Sequence, residues 1–247
     1  MKIVFFGNPS FASNCLKFLN SLDYIKLLLV VTNPDKKMGR GQKYQMSDVK
    51  KTALKFSNQL LEIDNFNDNV TFNKIKEANA DLFVVVAYKY LPEKIYTLAK
   101  YGAINLHASL LPKYRGSSPI QYALINGDNK TGLTTFFINN NIDCGNIIHQ
   151  EQININNKVT FTELYNQLSL LSDLVLDITL KKIIKNPKQS HYIQQKDYKE
   201  SDNKSLAPKI KSKDFKINFN NKSIDIHNKI RALNYKGAFA TFNGSRV

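Results

Sequence analysis

The sequence predicts a doubly wound α/β fold: a mostly parallel sheet with helices on both faces. Three observations predict it. Strand-like and helix-like stretches alternate over the first 150 residues. Several of the strand-like stretches are continuously apolar, as strands covered on both faces are. Pro92 and Pro119 stand at the openings of helix-like stretches, where a missing N–H costs nothing. At 247 residues and 43% hydrophobic content, the chain has material for one full domain plus a small second one.

The elements follow in order. Strands are expected at Lys2 to Phe6, Ile25 to Val31, Leu60 to Ile63, Asp81 to Ala87, Ala103 to Leu106 and Leu133 to Ile138. Helices are expected between them, at Ser10 to Leu22, Ser47 to Phe56, Phe72 to Asn79, Pro92 to Ala99 and Pro119 to Asn126. In such sheets ligands sit at the carboxyl ends of the strands. From Thr160 to Ile184, Leu164, Leu168, Leu171, Leu174, Leu180 and Ile183 recur at helical spacing, and Pro187 lies just beyond. Residues 185 to 216 are lysine-rich and read as a linker or a loosely packed crossing. Then Lys216 to Phe219 alternates, Ile224 to Leu233 reads as helix, and Phe239 to Phe242 alternates ahead of Asn243-Gly244, a hairpin-turn signal.

The formal net charge of +15 favours contact with polyanions, although a basic background would produce it too. Cys15 and Cys144 form neither a disulfide framework nor a zinc spacing, so no metal is expected. The opening apolar run, Ile3 to Phe6, is too short for a signal-peptide core or a membrane span. A cytoplasmic monomer without membrane contact is the expectation.

The chemistry-bearing stretch runs from Gly102 to Gln121. Asn105 and His107, two residues apart on a short strand, project from one face near its carboxyl end. Downstream, Asn141-Ile142-Asp143-Cys144-Gly145-Asn146 forms a turn that can return a carboxylate to the histidine. Acyl transfer to an amine needs donors for an oxyanion and a base for the amine proton. An amide, an imidazole and a carboxylate supply both, with the carboxylate expected to fix the imidazole tautomer.

The longer string, Asn105-x-His107-x-Ser109-Leu110-Leu111-Pro112-x-Tyr114-Arg115-Gly116 with Asp143-x-Gly145 downstream, resembles the folate-dependent formyltransferases. The resemblance implies that Asn105, His107 and Asp143 act on 10-formyltetrahydrofolate. It implies that Ser109, Leu110, Leu111 and Pro112 line the folate site. Val86 to Pro92 resembles the strand-end loop beside the pterin, which adds Ala87, Tyr88 and Leu91, with Ile142 opposite.

Three segments resemble the methionyl-tRNA branch of that family: Met1 to Ala12, Val31 to Lys43 with Ser47 to Lys51, and Ala207 to Ala238. The second is a basic loop. Lys36, Lys37, Arg40 and Lys43, with Lys50 and Lys51 further on, face only Asp35 and Asp48 nearby in sequence, so phosphate contact with initiator methionyl-tRNA is implied. The resemblance divides the chain into a catalytic domain at 1–185, a linker at 186–206 and, at 207–247, the start of a truncated OB-like domain. Two other readings remain open: an enzyme formylating a sugar-nucleotide amine, and a non-catalytic RNA-binding remnant.

Overall fold

A computed structural model describes residues 1–38, 41–195, 206–242 and 245–246. Its central sheet is built from β1 (Lys2–Gly7), β2 (Lys26–Thr32), β5 (Leu60–Glu62), β6 (Leu82–Val86), β7 (Ala103–His107), β8 (Lys130–Phe137) and β9 (Ile147–Asn154). These seven strands lie in the order β5-β2-β1-β6-β7-β8-β9. The first five run parallel; β8 and β9 turn antiparallel at one edge. The expected doubly wound, mostly parallel sheet is the observed one.

Period-two alternation explains the two cores. Ile3 and Phe5 of β1, with Leu82, Val84 and Val86 of β6, face one side. There they pack against α1 (Ser10–Asn20), α2 (Asp48–Lys55), α5 (Pro119–Ile125) and α6 (Phe161–Lys185). Val4 and Phe6, with Phe83 and Val85, face the other side, against α3 (Asn69–Glu77) and α4 (Glu93–Tyr96). Each large apolar side chain buried in this way contributes roughly 1.5–3 kcal/mol. A one-residue slip in β1 would exchange the two sets, so the register is strongly specified.

Local signals set most helix ends. Ser47 and Asp68 cap α2 and α3 by accepting backbone N–H groups from Lys50 and Thr71. Thr160 and Glu163 form a reciprocal capping box at the start of α6. Pro119 occupies the first turn of α5 as expected, whereas Pro92 is the residue before α4, which is only one turn long.

Three elements before residue 196 depart from expectation. β9 carries little strand signal because its second half, Glu151 to Asn154, is mostly polar and only partly buried, as suits an edge strand. The basic loop is a hairpin of β3 (Lys36–Met38) and β4 (Lys43–Gln45). The crossing after α6 is no loose linker over 186–195. Ile193 exchanges backbone hydrogen bonds with Ile147 at 2.8 and 3.2 Å, and the Tyr192 ring packs on Phe137. Residues 196–205 of that crossing lie outside the described residues.

The last segment shares the main core. Ala207, Phe215, Ala232 and Leu233 join the cluster beneath α5 and α6. α7 (Ser223–Ala232) carries the buried Arg231, which donates to the carbonyls of Asn156 and Val159 at 3.0 Å each. β10 (Thr241–Phe242) pairs antiparallel with a short return strand, β11 (Ser245–Arg246), as a hairpin about the expected turn. Its Asn243-Gly244 turn is outside the described residues. Instead of forming a strand, Lys216 makes only an isolated bridge to Phe239.

Candidate active site

The strand order reverses between β1 and β6, and a crevice opens at the carboxyl ends of β1, β6 and β7. It has a volume of about 670 Å3, within the range of small-molecule sites. Asn105 and His107 of β7 and Asp143 of the β8–β9 turn all line it.

Backbone register explains their placement. β7 lies parallel to β6 and antiparallel to β8, with Asn105 opposite Val85 and Phe136 and His107 opposite Thr134. Asn105 is half-buried, while His107 is 6% exposed at the end of β7. The His107 Nδ1 atom stands 3.7 Å from Asp143 Oδ2. The other ring nitrogen, Nε2, is 2.8 Å from the Tyr114 carbonyl oxygen. A carbonyl only accepts, so Nε2 bears the hydrogen and Nδ1 is the nitrogen left facing Asp143.

That corrects one expectation. The tautomer is selected by the Tyr114 carbonyl, not by Asp143, whose separation exceeds a hydrogen bond. Tyr114 can aim its carbonyl because its φ is +64°, and its buried phenol is anchored to Asp128 Oδ2 at 2.9 Å. Burial pushes that phenol's pKa up.

Asp143 also holds a left-handed backbone, φ +54°. Its Oδ2 accepts the Gly116 N–H at 2.8 Å. Gly116 has φ +120°, and a Cβ there would lie 2.6 Å from the Ala207 carbonyl oxygen. Gly145, two residues after Asp143, is tighter still: a Cβ there would overlap the Phe137 carbonyl oxygen outright. The Asp143-x-Gly145 spacing is therefore a packing requirement of the turn.

The expected folate residues divide. Ala87, Tyr88, Leu91 and Ile142 line the crevice. Ser109, Leu110, Leu111 and Pro112 do not; they form a loop turned toward β8 and β9. Thr134 Oγ1 donates to the Ser109 carbonyl at 2.6 Å and accepts the Leu111 N–H at 3.1 Å, while Gln150 donates to the Leu111 carbonyl at 2.8 Å. Leu111 packs with Phe136 and Ile147 instead of facing the cavity. That segment supports the wall from behind.

Tyr88 also lines the crevice; its ring packs on Phe6 and Phe66, and its hydroxyl is buried with no partner among the described residues. Lys89, which carries no signal in the sequence, lies over the Tyr88 ring at 5.3 Å and donates to the carbonyls of Ile63 and Asp64 at 2.7 and 2.6 Å. Desolvation lowers its pKa.

The basic hairpin is rooted next to this crevice. Thr32 at the end of β2 donates to Asn8 Oδ1 at 3.1 Å and shares a 2.7 Å hydrogen bond with Ser47. Lys36, Lys37 and Lys43 are exposed, and Lys37 lies over the Tyr44 ring at 5.6 Å. Arg40 lies outside the described residues. Lys50 is not a free cation of the loop: it pairs with Glu62 at 2.8 Å and Asp35 at 2.9 Å with its side chain 13% exposed. Lys51 pairs with Asp48 at 3.1 Å.

Comparison with known proteins bears on this geometry. A family model described as Formyl transferase matches residues 1–176, and a second, Formyl transferase, C-terminal domain, matches residues 209–247. The methionyl-tRNA formyltransferase of Thermodesulfovibrio yellowstonii is 41% identical over 93% of this chain and 72% of its own length. That of Halothermothrix orenii is 37% identical over 99% and 76%.

The chain belongs to the methionyl-tRNA formyltransferase family.

Solved formyltransferases share the fold. The sugar 3N-formyltransferase WlaRD, solved with dTDP and 5-N-formyl-THF, superposes at TM-score 0.69 with 25% identity, over all of this chain and 84% of its own. The N-formyltransferase of Helicobacter canadensis, in complex with folinic acid and dTDP-3-aminofucose, superposes at 0.72 with 22% identity, over all of this chain and 86% of its own. Among the described residues no helix of this formyltransferase is long and apolar enough to cross a membrane. No group of His, Cys, Asp or Glu among them is placed to hold a metal ion.

Some groups that hold His107 and Asp143 in place escape a reading of the sequence because they are backbone atoms or distant in the chain. The Tyr114 carbonyl and Gly116 N–H lie inside the recognised string but carry no side-chain signal. Gln195 lies 52 residues from Asp143 and yet donates to its carbonyl.

Proposed function

We propose that this enzyme transfers the formyl group of 10-formyltetrahydrofolate to the α-amino group of initiator methionyl-tRNA. The observation that carries the reading is the convergence of Asn105, His107 and Asp143 on one crevice, in a chain of this family.

The residues present fit a reduced folate. The wall made by Val86, Tyr88 and Leu91 is apolar and suits a flat heterocycle, and the unpartnered Tyr88 hydroxyl suits one of its polar edges. The co-substrate supplies an activated one-carbon unit; the protein supplies position and proton handling. The Asn105 amide is a donor for the oxygen that gains charge as the amine attacks. His107 donates to the same oxygen when Nδ1 is protonated and acts as a base when it is not. Asp143 stands behind Nδ1, balances a charged ring and takes part in removing the amine proton. An oxyanion donor of this kind is worth about 2–4 kcal/mol of barrier.

The exposed lysines of the β3–β4 hairpin, rooted beside the crevice, offer phosphate contacts whose strength falls with salt. Lys36, Lys37 and Lys43 are assigned to the acceptor arm on that basis, and Arg40, outside the described residues, on the sequence resemblance alone. The reaction belongs in the cytoplasm, where charged tRNA is used, and a single chain holds the whole catalytic group.

The test is formylation of charged initiator tRNA, run beside charged elongator methionine tRNA and a nucleotide-linked amino sugar. Formyl-methionine on the initiator alone supports the proposal. Formylation of the sugar alone overturns the acceptor, and folate binding without transfer to any amine overturns the catalysis.

A further inference from the structure

The turn that carries Asp143 is conformationally costly. Asp143 is a non-glycine residue with positive φ, a sparsely populated backbone region that must be held by its surroundings. Its carboxylate is tethered on one side by the Gly116 N–H. A tether on the backbone side comes from elsewhere in the chain. The Gln195 side-chain amide donates to the carbonyl of Asp143 at 3.0 Å and to that of Gly145 at 2.9 Å. Its oxygen accepts from Arg115 Nη2 at 2.7 Å and Nε at 3.2 Å. One amide thus makes four hydrogen bonds. They join the Asp143 turn to the segment that also supplies Tyr114 and Gly116.

Gln195 is itself held. The residues before it are pinned by the Ile193–Ile147 backbone pair and by Tyr192 on Phe137. Arg115 is fixed at its backbone, where its carbonyl accepts the Ala207 N–H at 2.8 Å. Both ends of the crossing that follows α6 are therefore fastened around the catalytic turn.

We propose that Gln195 is a positioning residue for the reaction: it locks the Asp143 turn so that the carboxylate faces His107 Nδ1. Gln195 does not line the crevice and touches no reacting atom. The inference rests on the proposed role of Asp143, and its test includes a readout that does not depend on turnover.

Cys144 provides that readout. It lies inside the turn, half-buried, with its thiol donating to the Ile142 carbonyl at 3.1 Å. The only other cysteine, Cys15, is fully buried, so its labelling reports unfolding. Gln195→Met keeps the side-chain length and removes all four hydrogen bonds. Gln195→Glu keeps an acceptor for Arg115 and removes only the donors to the turn. In the full chain, labelling of each cysteine with N-ethylmaleimide is followed by peptide mass, and kcat and KM are measured for wild type and both variants. We expect Cys144 in Gln195→Met to label about 5-fold faster or more, with Cys15 still protected, because the turn opens locally. We expect kcat to fall by about 10- to 100-fold in both variants with KM for either substrate within about 3-fold, as a catalytic group displaced by an ångström would give. An unchanged Cys144 rate in Gln195→Met overturns the clamp whatever the activity. A faster rate with unchanged kcat overturns the positioning role and leaves the reaction itself standing.

Discussion

His107 Nδ1 and Asp143 Oδ2 face each other at 3.7 Å, and each side chain is tied down: His107 by its far nitrogen Nε2 to the Tyr114 carbonyl at 2.8 Å, Asp143 by that same Oδ2 to the Gly116 N–H at 2.8 Å. Tyr114 and Gly116 are two residues apart, so one short loop orients both partners. The pair is preorganised by backbone groups, which need no reorientation during the reaction.

Removing either partner is expected to stop catalysis without unfolding the protein. His107→Ala and Asp143→Asn should each lower kcat by at least about 100-fold, in line with loss of a general acid–base group. A formylation assay, paired with circular dichroism melts, checks this. Wild-type turnover in either variant contradicts the assigned roles.

Gly145→Ala tests the turn geometry. Its methyl group would overlap the Phe137 carbonyl oxygen, so the backbone must move. We expect a stability loss of about 1–3 kcal/mol, as for an overpacked site. Turnover at saturating substrate should fall further than the folded fraction does. Chemical denaturation and kcat on the same sample separate the two.

The hairpin lysines and Lys50 should behave differently. Alanine at Lys36, Lys37 or Lys43 should lower the slope of log affinity for tRNA against log salt by about 1 for each phosphate no longer neutralised. Lys50→Ala should leave the slope alone and cost about 1 kcal/mol of stability, because its charge is spent on Glu62 and Asp35. Filter binding across a salt series decides. Equal slope changes at all four positions would contradict the division.

Arg231→Ala tests whether α7 belongs to the catalytic body. The buried guanidinium satisfies the carbonyls of Asn156 and Val159 and the side chain of Asn228. Hydrogen bonds to a charged group are worth about 1.5–3 kcal/mol, so the unfolding midpoint should drop for the whole chain in one transition. A separate low-temperature transition with the catalytic part untouched would show instead that the segment is independent.

Acid should weaken the fold through capping and paired carboxylates. The pKa of Asp68 is lowered by the Thr71 N–H, that of Glu163 by the Thr160 N–H, and that of Asp177 by Lys181 and then Tyr24. A folded pKa below the unfolded one stabilises the protein fully above the unfolded value, roughly 4, and the gain is lost as pH falls through the folded value. Melting temperature should therefore decline below about pH 4.5 and recover on return. A flat profile from about pH 6 to 3 contradicts this reading.

Several features were decided by the amino-acid order alone. Continuous apolar runs such as Ile3 to Phe6 and Leu82 to Val86 required a sheet buried on both faces. The i, i+2 spacing of Asn105 and His107 put both on one face of a strand, and the string through Gly116 with Asp143 marked the family. These are local quantities, periodicity and spacing, that a chain carries before it folds. Tertiary structure alone decided the rest. The Ser109 to Pro112 loop turned away from the cavity because Thr134 and Gln150, on β8 and β9, satisfied its backbone. Lys50 became a structural cation because Glu62, distant in sequence, arrived beside it on β5. The tautomer of His107 followed from a backbone carbonyl seven residues further on, and the hold on the Asp143 turn from an amide 52 residues away. Backbone groups are the same at every position, so only folding determines which of them meets which side chain.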